Sequence, residues 1–152
     1  MHRWLKILVL VSRFALAAMW LFAAGAKLYT FEEFSFNLTN LVRESLATPL
    51  AVTVIAAELL AAVLLIVPRT ARLGALLTAV MLIGFALYGL YYVYMAKGEP
   101  LECGCFGGII GSQLGVKTAL RNLLLLIPAA IVIFGTPRLR RRNASESHAV
   151  TT

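Results

Sequence analysis

Apolar residues run in four blocks, over residues 7–28, 50–67, 73–96 and 118–135, with polar residues gathered in the connections between them. Each block has about the length a helix needs to cross roughly 30 Å of hydrocarbon at ~1.5 Å per residue. The pattern therefore predicts four transmembrane helices. Local punctuation sharpens the second: Thr48 stands as its N-cap, Pro49 takes the first helical position, and Pro68 ends it. The third carries Tyr88, Tyr91, Tyr92 and Tyr94 at its far end, as expected where rings meet headgroups; a ligand pocket is the other reading. Pro128 lies inside the fourth, where neighbouring helices can re-satisfy the freed backbone groups.

The connections differ in character. Between the first two spans, Phe31, Phe34, Leu38, Leu41 and Leu46 recur near helical spacing, which suits an amphipathic segment lying along the membrane interface or an ordinary amphipathic loop. Residues 97–115 form a glycine-rich loop. The chain start resembles a signal peptide, because Arg3 and Lys6 precede an apolar stretch ending in Ala23-Ala24-Gly25-Ala26. That stretch is long for such a leader and Arg13 interrupts it, so a retained helix is the preferred reading. The expected architecture is an all-α polytopic membrane four-helix bundle over residues 1–137. A basic, disordered tail follows over 138–152, opening with Arg138, Arg140, Arg141 and Arg142.

Composition agrees. Of 152 residues, 61% are hydrophobic and only 14% charged, a balance foreign to soluble domains and suited to a lipid bilayer. The net charge of +7 does not point to nucleic acid, since the basic residues sit at helix ends and in one tail without interleaved aromatic rings to stack bases.

Four spans put both termini on the same side as the connection between spans two and three. Those regions hold Arg3, Lys6, Arg69, Arg72 and the tail arginines, so both termini are expected to be cytoplasmic. The other two loops, where Glu32, Glu33, Glu44, Glu99 and Glu102 offset Lys27, Arg43, Lys97 and Lys117, then face outward. Cys103 and Cys105, the chain's two cysteines, fall in the second of these, in a compartment where disulfides persist. A bridge across one intervening residue demands a sharp bend, for which Gly104 supplies the freedom. It would constrain the unfolded chain little and be easily reduced, which favours exchange chemistry over a structural bridge or inert thiols. Two cysteines with neither His2 nor His148 on the outer side make no metal site within one chain.

Glu58 lies near the middle of span two, where a charged carboxylate costs roughly 2.5–3.5 kcal/mol on insertion scales. It needs a partner or a proton, and Lys27, Arg121 and Arg13 are the candidate partners. A structural ion pair and a proton-handling role are both open. Arg121 and Asn122 begin the helix that follows the cysteine loop; a cation turned back toward the thiols would favour the thiolate, whereas snorkelling to headgroups is the bland alternative.

Several of these residues resemble a known family, the methylamine utilisation protein MauE, related to the broader DoxX-like four-helix membrane proteins. The resembling pieces are Arg13, Gly25-Ala26-Lys27-Leu28, Phe34, Glu58-Leu59-Leu60, Cys103-Gly104-Cys105-Phe106-Gly107 and Leu120-Arg121-Asn122, over roughly residues 7–135. The cysteine motif followed by Arg121 and Asn122 is the most specific. The resemblance implies a bacterial inner-membrane component serving extracytoplasmic disulfide formation, or maturation of a disulfide-rich client such as methylamine dehydrogenase, alongside a thioredoxin-like partner.

On this reading Cys103 and Cys105 cycle between dithiol and disulfide, in the manner of a membrane thiol-disulfide oxidoreductase. Electrons pass to or from a membrane carrier such as a quinone held near Tyr88, Tyr92 and Arg121. Two rivals stand beside it. One is a non-catalytic assembly factor, and the other a DoxX-like electron-transfer or transport subunit that relies on Glu58 and Lys27.

Overall fold

The computed structural model describes residues 2–39, 41–91, 94 and 116–150. Among them the chain is all-α: α1 (His2–Tyr29), α2 (Phe31–Leu38), α3 (Glu44–Ile66), α4 (Ala71–Tyr91) and α5 (Val116–Val150). Four stretches, Arg3–Tyr29, Glu44–Ile66, Ala71–Tyr91 and Ala119–Thr136, are long and apolar enough to cross a membrane. The broad outward display of Leu, Ile, Val and Phe on α1, α3, α4 and α5 is what lipid requires, since hydrocarbon is as good a solvent for these side chains as a protein core.

The long helices form a closed ring in which α1 packs on α3, α3 on α4, α4 on α5, and α5 back on α1. Each helix turns a narrow stripe inward. On α3 the buried positions are Ala47, Ala51, Ile55, Glu58, Ala61, Ala62 and Leu65, spaced three and four apart as one helical face requires. Most are alanines, which let neighbouring backbones approach where packing rather than water exclusion must hold helices together. The α3–α4 hairpin is tight at Gly74. A Cβ there would fall 2.7 Å from the backbone nitrogen of Leu65 and 2.9 Å from the carbonyl carbon of Leu64, so only glycine fits.

Between α1 and α3 the short helix α2 folds back onto the bundle. Ala26 starts the turn: its carbonyl accepts both the Thr30 amide and the Thr30 hydroxyl, each at 3.1 Å. Phe34 and Leu38 of α2 then bury against Ala24 of α1 and Ala47, Ala51 and Ile55 of α3. Of the five residues on this spacing, Phe31, Phe34 and Leu38 of α2 pack on the bundle, whereas Leu41 and Leu46 are exposed.

That packing also corrects the start of the second span. Thr48 is not an N-cap and Pro49 is not the first helical residue, because α3 begins at Glu44 and carries Pro49 inside it. Pro49 lacks an amide to offer the carbonyl four residues back, but both neighbours of the break, Ser45 and Pro49, are exposed. Burial of Ala47 beneath α2 keeps the extra turn helical, and the Thr48 hydroxyl instead lies 3.2 Å from that of Ser35. At the other end, α5 runs past the last apolar turn to Val150, across the tail for which disorder was the expectation.

Candidate functional site

Lys27 and Glu58 form the polar centre of the bundle. Lys27 lies in the last turn of α1, where a cation also complements the helix dipole. Its Nζ donates to Glu58 Oε1 at 2.6 Å, and neither side chain is more than 1% exposed. Two rings complete the enclosure: Nζ sits 5.5 Å from the centroid of Phe34 and 5.6 Å from that of Phe85, within reach of the attraction between a cation and an aromatic quadrupole. The turn at Thr30 therefore has a chemical consequence, because it returns Phe34 over the end of α1. Glu58 Oε2, by contrast, is buried with no hydrogen-bond partner among the described residues. The pair is desolvated and only half satisfied on the carboxylate side, an arrangement that costs stability.

Phe85 connects this pair to a second polar element. Its ring lies 6.2 Å from that of Trp20 at an interplanar angle of 50°, and the Trp20 indole donates to the Thr78 hydroxyl at 2.9 Å. These contacts run between α1 and α4, which face each other across the ring of helices. Beside them is a small half-open cavity of about 20 Å³, lined from α1 by Met19, Trp20 and Ala23, from α4 by Leu82 and Phe85, and from α5 by Arg121, Asn122 and Leu125. Asn122 is 4% exposed, and its Nδ2 is buried without a hydrogen-bond partner among the described residues.

The remaining candidates fall as follows. Of the three partners considered for Glu58, Lys27 is ion-paired to it. Arg13 is buried but turned elsewhere: Nε donates to the Leu65 carbonyl at 3.0 Å and Nη2 to the Ile66 carbonyl at 2.9 Å. These are the last carbonyls of α3, which no amide of the helix can reach, so Arg13 caps α3 from a neighbouring helix. Arg121 and Asn122 are brought together on the cavity wall. Tyr88 is half-buried and Tyr91 and Tyr94 are exposed. Cys103, Cys105 and Tyr92 lie outside the described residues.

Sequence reasoning passed over Trp20, Thr78 and Phe85. A tryptophan and a threonine in mid-span were available as a signal, since an indole N–H in hydrocarbon requires an acceptor.

The family model for methylamine utilisation protein MauE matches residues 5–135, taking in α1 to α4 and the apolar part of α5. The chain belongs to the MauE family. Neither the curated proteins nor the solved structures give a match. This MauE-family chain is a multi-pass membrane protein whose family is described by methylamine utilisation. The matched region includes Arg13, Lys27, Glu58, Cys103, Cys105, Arg121 and Asn122, and ends where the apolar turns of α5 end.

Proposed function

We propose that this MauE-family protein is a membrane thiol-disulfide redox component, in which Cys103 and Cys105 exchange with a thioredoxin-like protein or a disulfide-rich client outside the cytoplasm. The observation that carries the reading is the position of the buried polar residues. Lys27 closes α1 and Arg121 and Asn122 open α5, so they cluster at the end of the bundle from which the Cys103-Gly104-Cys105 connection leaves. The one reactive motif in the sequence thus leaves the end of the bundle at which Lys27, Arg121 and Asn122 lie.

The exchange balances without further reactants. A thiolate of one protein attacks the disulfide of the other, giving a mixed disulfide and one free thiolate. The second thiol of the attacking pair then displaces the remaining sulfur, so one pair ends oxidised and the other reduced. Renewing the starting state moves two electrons and two protons to or from a lipid-borne quinone. Both termini are cytoplasmic in this scheme, as the distribution of Arg3, Lys6, Arg69 and Arg72 favours, and the membrane is the bacterial inner membrane.

Thiol trapping in intact cells tests the proposal. A membrane-impermeant maleimide is expected to label Cys103 and Cys105 only after reduction, and Cys103→Ser or Cys105→Ser is expected to accumulate a mixed disulfide. Full activity in both serine variants would remove the redox role and leave an assembly factor; labelling only in permeabilised cells would invert the topology. A second reading, a DoxX-like electron-transfer or transport subunit, is favoured by the enclosed Lys27–Glu58 pair. It requires Glu58→Gln to abolish function while the double cysteine variant stays active.

A further inference from the structure

The charge of the chain is concentrated at one end of the bundle. No Asp or Glu occurs in residues 1–31, 59–98 or 103–145, stretches that contain the start of α1, the α3–α4 turn and most of α5. Arg3 and Lys6 stand at the first of these places and Arg69 and Arg72 at the second. Arg138 and Arg140-Arg141-Arg142 follow the apolar part of α5. Against these eight cations there is only Glu146, while the other six cations and six carboxylates of the chain cancel, so the net charge of +7 belongs to this end.

Packing sets these cations beside an apolar wall. A Cβ on Gly135 would overlap the Val9 side chain, whereas Met19, Trp20 and Ala23 share a cavity with Arg121, Asn122 and Leu125. Helices α1 and α5 are therefore antiparallel neighbours, and three residues beyond the Val9–Gly135 contact Lys6 comes level with Arg138. One turn farther, Arg3 comes level with Arg141. The membrane-crossing stretch of α5 ends at Thr136 but the helix continues to Val150, so its four arginines occupy the first ~9 Å beyond that stretch at ~1.5 Å per residue. Arg13, through the Leu65 and Ile66 carbonyls, ties the α3–α4 turn to α1. Arg3, Lys6, Arg69 and Arg72 are exposed, and so are Leu10, Val11 and Phe134, which lie toward the middle of the bundle from them.

We propose that this end of the bundle selects anionic phospholipids, with phosphodiester groups gathered along the α1–α5 seam and at the α3–α4 turn and acyl chains against Leu10, Val11 and Phe134. Cations outermost and hydrocarbon-facing side chains just inside them match a molecule that carries a phosphate at the head of an acyl chain. A zwitterionic headgroup gains little here, because its own ammonium cancels the attraction, whereas a headgroup of net negative charge gains from each cation. A nucleic acid fits less well, since the aliphatic wall has no counterpart on it. Selectivity of this kind depends neither on the cysteines nor on which side of the membrane this end faces.

Trp4, 76% exposed between Arg3 and Lys6, reports the lipid beside it, because a brominated acyl chain quenches an indole it touches. Trp20 is 2% exposed, and the Trp4→Phe protein measures its share of the signal. The full chain is reconstituted in nanodiscs in which brominated phosphatidylglycerol replaces phosphatidylcholine stepwise, and again with the bromines on phosphatidylcholine in a phosphatidylglycerol background. Quenching of Trp4 is expected to favour phosphatidylglycerol by about fivefold or more at low salt. The preference is expected to fall toward one in about 1 M salt, where the screening length is ~3 Å. Arg138→Gln/Arg140→Gln/Arg141→Gln/Arg142→Gln is expected to lose most of it, and Arg43→Gln, which removes an exposed cation at the opposite end, to keep it. Equal quenching by the two lipids in the parent would overturn the site. So would a preference retained by both the quadruple variant and Arg3→Gln/Lys6→Gln, which would leave these cations to set orientation alone. Should the variants fail to insert, the salt series on the unmodified protein decides the matter, a preference that salt does not change counting against the site. Loss of Trp4 quenching when a single-stranded oligonucleotide competes with phosphatidylglycerol would assign the patch to nucleic acid and overturn it as well.

Discussion

Lys27 Nζ and Glu58 Oε1 meet at 2.6 Å in an interior that leaves neither side chain more than 1% exposed. Removing one member strands the other charge in a site that excludes water, and such breaks typically cost about 3–5 kcal/mol. We predict losses of that order for Lys27→Met and for Glu58→Leu, read from unfolding in detergent micelles. Replacing both removes the stranded charge, so the double variant is expected to be more stable than the sum of the single losses implies. Additive losses would show that the two side chains do not act on each other.

Gly74 gives a prediction in which two effects oppose each other. Alanine is the better helix former by about 1 kcal/mol, yet its Cβ would stand 2.7 Å from the Leu65 backbone nitrogen, and backbone cannot step aside as a flexible side chain can. Gly74→Ala is therefore expected to destabilise the α3–α4 hairpin, by about 1–3 kcal/mol as for overpacking elsewhere. At Gly84 of the same helix nothing lies within 4 Å of the added carbon, so Gly84→Ala is expected to be neutral or stabilising. Paired melting curves check the contrast, and equal effects at the two positions would refute it.

What the sequence made legible follows the range of each interaction. The spans depend on composition over some twenty residues, and four were visible as apolar blocks. The Glu58 carboxylate announced itself because hydrocarbon offers it no partner, but choosing Lys27 over Arg13 required the ring order of the helices. Arg13 shows the difficulty well: nothing near it in the chain reveals that its turn of α1 lies beside the end of α3, where the Leu65 and Ile66 carbonyls accept from it. At Thr48-Pro49 the local signal was sound chemistry that lost to a tertiary contact, the burial of Ala47 under α2. Asn122 was read as polar from the sequence, while the cavity it lines is formed by three helices and has no local trace.

The Arg13 cap predicts a difference between two cationic replacements. The guanidinium reaches two carbonyls with two nitrogens held in one plane, whereas a lysine ammonium is a compact point charge on a flexible stem. Each hydrogen bond to a charged group is worth about 1.5–3 kcal/mol. Arg13→Lys is expected to recover only part of the stability lost in Arg13→Met. The loss should be local as well: hydrogen exchange of the amides of Val67, Thr70 and Gly74, which bond at the end of α3, in the α3–α4 turn and at the start of α4, should quicken before that of mid-helix amides. Uniform acceleration along α3 and α4 would mean that Arg13 does not act through the helix end.

Trp20 and Thr78 supply the clearest test of how the bundle interior is closed. The indole N–H donates to the threonine hydroxyl at 2.9 Å, and both residues are nearly or fully buried. Because neither group has water to fall back on, removing one leaves the other unsatisfied at about 1–3 kcal/mol. Thr78→Val keeps the shape of its side chain and orphans the indole; Trp20→Phe orphans the hydroxyl and also forfeits ring contact with Phe85, 6.2 Å away. Adding Thr78→Val to Trp20→Phe is therefore expected to restore stability, although the same change in the parent protein lowers it. That reversal of sign cannot arise from lost volume, which only accumulates. A second substitution that destabilises the Trp20→Phe protein as much as the parent would show the hydrogen bond to contribute nothing.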